Sequence, residues 1–596
     1  MRRPHVLRRN ERSSVPDRLL AFDTETDAVG VTDGVTEARL RFGWLAASWH
    51  HRGDRWSPPR WWRFTSGVDL WAIVDSLALA ERRITLAAHS AGFDLRTTQA
   101  FTHLPALGWT LRVAVIDDPP TILSWRKDRA SLRIIDTLNY WRVPLRTIGD
   151  ELGLVKLTMP GDDAGPDAWD RYCRRDVEVV MAAMQGLIDR VRSWDLGGFA
   201  PTAPAQAFRA WRHRHLTAPV IIDCDERALT LARRGYHGGR TEAFRLGLVP
   251  GPVEVWDVSS MYPAVMASEP MPTALSGVYR SIRPADLPDL LEGRSVVADV
   301  TIETLAADYP LYDGERLIFP TGRFRTVLPA PELRHAVERG RVVAVHEAAA
   351  YRQAIIFGSY VAEWWTRRVE AQAAGRAVDA MFAKLMLNSL YGKLGQRGIT
   401  WEVSGRSDPA DVRAWVDIDH DSGLIHHYRS LGGSIQDRRD AAEASDSHPA
   451  IAATVTSAAR LRLLALMEAL GRPHVVYVDT DSLFLDPGSH GPPSALVEPS
   501  GLGQLHHERT IRHLVIHGPK DYVADGKLTV KGLRRTAIRR GPDRYEQDTF
   551  MGLPGAVAAG SLDRMLVTRT PRVLQRAYRK GEITPDGHVR PFRRSS

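Results

Sequence analysis

Apolar and polar positions alternate in two rhythms along the chain. Between residues 18 and 195, short apolar runs alternate with helical patterns, as in an α/β domain. RLLAFDTETD begins as a strand and ends in acids. RITLAAHSAGFDLR reads as a strand, a small-residue loop and a helix start, and SLRIIDTLNYW as another strand. DAWDRYCRRDVEVVMAAMQGLIDRV predicts a long amphipathic helix. The stretch 196–206, LGGFAPTAPAQ, predicts a linker. A helix-rich stretch follows, then PVEVWDVSSMYP, a strand running into a turn. Residues 270–345 mix short strands with Pro and Gly. Residues 359–391 predict two helices joined near Gly375, and 400–447 is polar and irregular. A helix over 450–470 leads to VVYVDTDSLF, two apolar runs around a turn.

Composition narrows the class. A chain of 596 residues is too long for one core and implies two to four domains. No apolar run of membrane-spanning length stands out, and the start MRRPHVLRRNERSSVPDR reads as a basic, flexible arm rather than a signal peptide. The two cysteines, Cys173 and Cys224, form neither a disulfide framework nor a zinc pattern, which fits a reducing cytoplasm. The net charge of +8 suits a polyanionic partner. Only eight of the 79 basic residues are lysine: Lys127, Lys156, Lys384, Lys393, Lys520, Lys527, Lys531 and Lys580. Where arginine serves for charge alone, a lysine marks a place where a compact ammonium can matter.

The acids fall into two groups. Asp23 and Glu25 share one strand face, Asp94 follows in HSAGFD, and Tyr172 and Asp176 share one helix face at i and i+4. Four acids from three separated elements can hold two metal ions for phosphodiester hydrolysis. In the C-terminal half, Asp257 ends a strand and precedes Ser260 and Tyr262. Lys384, Asn388 and Tyr391 form one stripe on a helix that packs Phe382, Leu385 and Leu390 elsewhere. Asp479 and Asp481 are one residue apart at the turn of VVYVDTDSLF. Either a plain hairpin turn or a shared divalent cation accounts for that pair.

Taken in order, these motifs resemble those of family-B DNA polymerases. Asp-x2-Ser-x-Tyr-Pro, Lys-x3-Asn-Ser-x-Tyr-Gly and Tyr-x-Asp-Thr-Asp-Ser are similar to that family's motifs A, B and C, and the N-terminal acids to its 3′→5′ proofreading exonuclease. The resemblance implies an α/β RNase H-like exonuclease domain followed by an α+β right-hand polymerase domain of palm, fingers and thumb. It assigns exonuclease metal binding to Asp23, Glu25, Asp94 and Asp176, and orientation of the attacking water to Tyr172. Lys156 would support the scissile phosphate. Thr26, Ser90, Phe93, Thr137 and Leu138 would contact the single strand; Ser90 replaces the usual Asn and has one fewer donor.

In the polymerase half, the resemblance gives metal binding to Asp257, Val258 and Asp481, with Asp479 as third carboxylate. Lys384 would hold the incoming phosphates. Tyr262 would stack under the sugar and exclude a 2′-hydroxyl, while Ser260, Asn388 and Tyr391 shape the nucleotide pocket. Tyr236, Gly238 and Gly239 in GYHGGR resemble the segment joining the two activities. Lys520 and Tyr522 in PKDY resemble a primer-gripping motif, followed by Lys531. Arg534, Arg535, Arg539 and Arg540 would touch phosphates.

The implied organisation is an arm (1–17), exonuclease domain (18–195), linker (196–206), first palm part (207–300), insertion (301–345), fingers (346–399), second insertion (400–447), second palm part (448–534) and thumb with basic tail (535–596). Segment 400–447 reads either as a strand-displacement insertion or as a disordered polar loop. The implied cofactor is Mg²⁺, two ions per centre, with Mn²⁺ as substitute. The implied partners are primer-template DNA, dNTPs and a terminal protein primer. The chain would act as a monomer, away from membranes, in a bacterial cytoplasm, copying a phage, plasmid or mobile element. Two other classes, a nuclease with a DNA-binding C-terminal half and a non-catalytic initiation scaffold, use fewer of the motifs.

Overall fold

A computed structural model describes every residue except 1, 33, 52–54, 118, 162, 442, 499–500 and 596. Residues 18–136 build most of an eleven-stranded mixed sheet. Strand Arg18–Thr32 lies antiparallel to Val35–His51 and parallel to Arg83–Ala88, which is parallel to Ala130–Asp136. The run Leu19–Phe22 is apolar throughout because both faces are covered. Leu19 and Ala21 pack in a core with Val177, Val180 and Met184 of helix Pro166–Ser193. Leu20 and Phe22 pack with Trp71 and Val74 of helix Gly67–Glu81. The long helix starts with Pro166 in its first turn, carries Asp167 there, and ends with Arg190 and Arg192, each suited to its end of the helix dipole.

The palm centres on a five-stranded antiparallel sheet in the order 241–243, 475–479, 482–485, 253–258, 505–511. Helix Pro449–Ala469 packs near it against helix Met261–Ser268. Helix Pro449–Ala469 is long and apolar enough to cross a membrane, although Arg460, Arg462 and Glu468 interrupt its apolar run. However, 83% of its apolar window is buried inside the protein, as in a core helix. Helices Gly358–Ala373 and Ala377–Leu394 form the expected hairpin, with Gly375 at φ +67° in the turn.

Several segments differ from the sequence reading. The N-terminal arm is held: His5–Leu7 pairs antiparallel with Val220–Ile222, and Arg2 donates to the carbonyls of Asp223 (2.9 Å) and Ser447 (2.6 Å). Its backbone finds partners that its basic side chains do not advertise. Segment 196–206 is a packed joint. Gln206 is fully buried, accepts from Ala200 N at 2.8 Å, and anchors a stretch whose Phe199 stacks on Tyr140. Segment 400–447 holds a four-stranded antiparallel sheet in the order 398–406, 434–441, 425–431, 413–418, not a disordered loop. Strands 398–406 and 413–418 are largely exposed, while the other two bury polar residues such as Arg429, Gln436 and Asp437. The 301–345 boundaries cut through strands Arg294–Thr304 and Val342–Ala354, which belong to one sheet with Met271–Arg280 and Thr321–Leu328. Finally, the basic tail is no separate lobe. Met565–Val573 pairs with Val35–Ala38 and extends the N-terminal sheet, with Ile538–Gly541 and Arg544–Phe550 beyond it.

Candidate active sites

The N-terminal acids converge at one end of that sheet. Asp23 and Glu25 lie on the strand face turned to the long helix, which supplies Tyr172 and Asp176. Thr24 points the other way and donates to Asp94 Oδ1 at 2.6 Å, fixing helix Ala91–Thr97. Asp136 is the organiser beneath: it accepts from the backbone N–H groups of Ser90 (3.0 Å), Ala91 (2.8 Å) and Leu138 (2.8 Å). Ser90 is left-handed, φ +67°. Lys156 bonds Asp176 Oδ2 and lies over the Tyr172 ring.

Burial and crowding work together on these carboxyls. Burial, then the charges of Asp94, Asp176 and Glu25, pushes Asp23 well up. Burial, then Asp176, pushes Glu25 up to about 7. Burial takes Asp94 up to about 8. Asp176 is also raised by burial, against the pull of Lys156. Such a cluster is costly without a counter-charge. Asp176 Oδ1 is buried with no hydrogen-bond partner, as an atom facing a cation site would be. The donor set therefore fits divalent cations.

The centre opens into a cleft of about 520 Å³ lined by Ser90, Phe93 and Leu138. Its far wall comes from the other end of the chain: Arg534, Phe550, Met551 and Met565. Arg534 stacks over Phe550 at 4.6 Å, and buried Arg96 donates to Met551 O at 2.5 Å. Sequence reading missed this wall apart from Arg534. Two expected strand contacts fall outside the cleft lining. Thr137 is 1% exposed, with its hydroxyl 2.8 Å from His89 Nδ1, and Thr26 is half-buried beyond Glu25.

In the palm, strand register brings the other acids together. Asp257 stands opposite both Ser482 and His506, and Asp479 opposite Ser482 and Thr241. The hairpin reverses at Thr480, φ +65°, and Val258 N donates to Asp481 O at 2.9 Å. The three carboxylates are not equivalent. Lys520 Nζ reaches both oxygens of Asp479, at 2.7 and 2.8 Å. Among the described residues, neither Asp257 nor Asp481 has a lysine or arginine ion pair. Asp257 accepts from Ser482 Oγ at 2.8 Å and has His506 Nε2 at 3.9 Å. Burial raises Asp257. Burial and the charge of Asp257 take Asp481 up to about 6. The turn of VVYVDTDSLF is thus a hairpin in which Asp479 is paired with Lys520 and Asp481 feels the charge of Asp257.

Lys384 and Asn388 are exposed on their helix, the Asn388 amide donating to Lys384 O at 2.9 Å, while Phe382 and Leu390 are buried. Tyr262 and Tyr391 stack at 4.8 Å and 15°. Ser260 is left-handed and accepts from Arg368 Nη1 at 2.8 Å, so Arg368 joins the pocket unannounced by any motif. A side chain at Gly239 would meet Thr480 and Tyr262 at 2.9 Å, whereas a Cβ at Gly238 would meet open space. Buried Arg460 holds this turn, pairing with Glu332 (2.6 and 2.8 Å) and donating to the carbonyls of His237 (2.8 Å) and Gly238 (2.9 Å). The Tyr236 ring lies against Gly395 at the end of the helix that carries Lys384. Tyr522 packs edge-on to Phe484 at 5.7 Å. Lys520 and Lys531 line a second cleft of about 510 Å³ with Arg572 and Arg576.

Comparison with known proteins accords with this geometry. Residues 167–408 match the family described as DNA polymerase type B, organellar and viral. The DNA-directed DNA polymerase of Enterobacteria phage PRD1 is 26% identical over 305 residues, 48% of each chain, so this chain spans about half of that relative's length in the match. The DNA polymerase of Bacillus phage Nf is 24% identical over 61% of each chain. The structure of Phi29 DNA polymerase with primer-template DNA and incoming nucleotide aligns with 94% of this chain and all of its own, at a TM-score of 0.67 and 16% identity. The chain thus has the fold of Phi29 DNA polymerase, and its segment 167–408 is similar to DNA polymerases of type B. The similar proteins include these phage enzymes and a probable DNA polymerase of Ascobolus immersus, 24% identical over 303 residues.

Proposed function

We propose that the protein is a DNA-directed DNA polymerase with a 3′→5′ proofreading exonuclease, acting on primer-template DNA and dNTPs. The observation that carries this reading is the convergence of Asp257 and Asp481, which have no lysine or arginine ion pair among the described residues, beside Asp479, which Lys520 neutralises. Magnesium ions held by Asp257 and Asp481, and by Asp23, Glu25, Asp94 and Asp176, would supply an activated oxygen nucleophile and charge stabilisation at each centre.

The remaining work falls to the chain's own groups. Exposed Lys384 binds the triphosphate from the fingers helix, with Arg368 fixed beside it by Ser260. The Tyr262–Tyr391 stack would form a flat floor against the sugar, where Tyr262 would exclude a 2′-hydroxyl. Gly238, where a Cβ would meet open space, would let the backbone approach the template, whereas Gly239 lets the turn pack closely against Thr480 and Tyr262. In the N-terminal centre, Tyr172 orients the attacking water and Lys156 supports the phosphate, while Phe93, Leu138 and Phe550 hold the frayed end. Priming by a terminal protein, action as a monomer and a bacterial cytoplasm complete the reading. The 398–441 sheet is the strand-displacement element. Arg429 Nη2, which donates to Ala114 O at 2.5 Å, ties it to the exonuclease domain.

Primer extension on a recessed duplex with Mg²⁺ and all four dNTPs tests the proposal beside Asp481→Ala. Extension by the wild type that is lost in the variant is expected. A wild type that only shortens the primer, even with a candidate terminal protein added, would overturn it.

A further inference from the structure

Cys173 lies in the N-terminal centre rather than near it. It follows Tyr172 on the long helix, is fully buried among Phe42, Trp169 and Tyr172, and turns its sulfur toward Asp23. Sγ is 3.5 Å from the Asp23 carbonyl and 3.8 Å from Asp23 Oδ2. One donor atom each from Asp23, Glu25 and Cys173 lie within 4.8 Å of one another. A zinc ion with a sulfur at about 2.3 Å and oxygens at about 2.0–2.2 Å separates its tetrahedral ligands by about 3.5 Å. The 3.8 Å between Cys173 Sγ and Asp23 Oδ2 is close to that spacing. The buried, unpartnered Asp176 Oδ1 lines the same cleft and offers a fourth ligand.

We infer that Asp23, Glu25 and Cys173 form a mixed oxygen–sulfur site that takes zinc or cadmium in preference to magnesium, and that its occupation arrests the N-terminal centre selectively. The inference rests on reading this cluster as a metal centre. Magnesium prefers oxygen ligands alone, whereas thiolate selects zinc and cadmium. On binding, the sulfur–hydrogen bond breaks, a sulfur–metal bond forms, and the thiol proton leaves to solvent together with any protons held by Asp23 and Glu25. The palm centre offers oxygens from Asp257 and Asp481. The second cysteine, Cys224, is exposed and separate, so sulfur distinguishes the two centres. Sequence spacing hides this site because its ligands come from a strand and a distant helix.

The test is a cadmium titration of the metal-stripped full-length protein, read by the ultraviolet thiolate-to-cadmium charge-transfer band. One equivalent should saturate the band in the wild type and in Cys224→Ser. Cys173→Ser should show none and should bind zinc at least about tenfold more weakly. Manganese binding, followed by electron paramagnetic resonance, should persist in Cys173→Ser, which also reports that the variant is folded. Cys173→Ala replaces it if that variant fails to fold. No band in the wild type, a band retained in Cys173→Ser, or one unaffected by Glu25→Gln would overturn the inference. Absence of manganese binding in the wild type would overturn the metal-centre reading itself, and this inference with it.

Discussion

At the N-terminal centre, Asp94 and Asp176 are 3% and 4% exposed, and every carboxyl of the set is pushed up. In the palm, the Asp257 side chain keeps 28% of its exposure, and one of three acids is neutralised by lysine. The first centre crowds charge in a buried pocket walled by both ends of the chain. The second spreads it over the ends of central strands of an open sheet and the turn between two of them. The contrast suits the two tasks proposed for them. Trimming holds a short single strand in a closed cleft, whereas synthesis needs a surface across which a duplex passes.

The comparison breaks most sharply if either centre tolerates loss of an acid. Asp481→Ala should lower extension by at least about 10³-fold and leave trimming intact, measured on one labelled primer. Next in size is a stability effect confined to the palm. Arg460→Met leaves Glu332 buried and unpaired, and should cost about 3–5 kcal/mol in chemical denaturation. Lys520→Ala releases Asp479 and should slow extension by roughly tenfold without affecting trimming, as single-turnover rates would show.

Acidity sharpens the comparison further. In the metal-free fold, Asp94 at about 8, Glu25 at about 7 and Asp481 at about 6 hold their protons more tightly than in the unfolded chain. Their contribution to stability is fully present below the ordinary carboxylate value of about 4. It is lost as pH rises through about 6 in the palm and about 7 to 8 in the N-terminal centre. Cations need the ionised oxygens, so the order reverses for metal binding. At limiting Mg²⁺, raising the pH from 6 to 8 should increase trimming relative to extension several-fold. The smallest effect concerns the glycine turn. Gly239→Ala should weaken extension more than Gly238→Ala on short templates, since only the former meets Tyr262 and Thr480.

Much of both centres was legible because their acids fall in short local patterns. Asp23 with Glu25, Tyr172 with Asp176 and Asp479 with Asp481 each share one strand, helix face or turn. What was illegible depends on contacts between distant stretches. The pairing of Val35–Ala38 with Met565–Thr568 carries no local signature, so the cleft wall from Phe550 to Met565 could not be foreseen. Arg460 and Arg368 belong to no motif and act through partners on other elements. The N-terminal arm and the 398–441 sheet are polar stretches ordered by backbone pairing, which composition alone reads as freedom.

The central claim is that two independent carboxylate centres act on one DNA end. The most direct test follows a labelled primer on a recessed duplex with Mg²⁺, with and without dNTPs, for Asp94→Asn and Asp481→Asn. Asp94→Asn should extend but not shorten the primer, and Asp481→Asn should shorten but not extend it. Loss of both activities in either folded variant, or retention of both, would contradict the account.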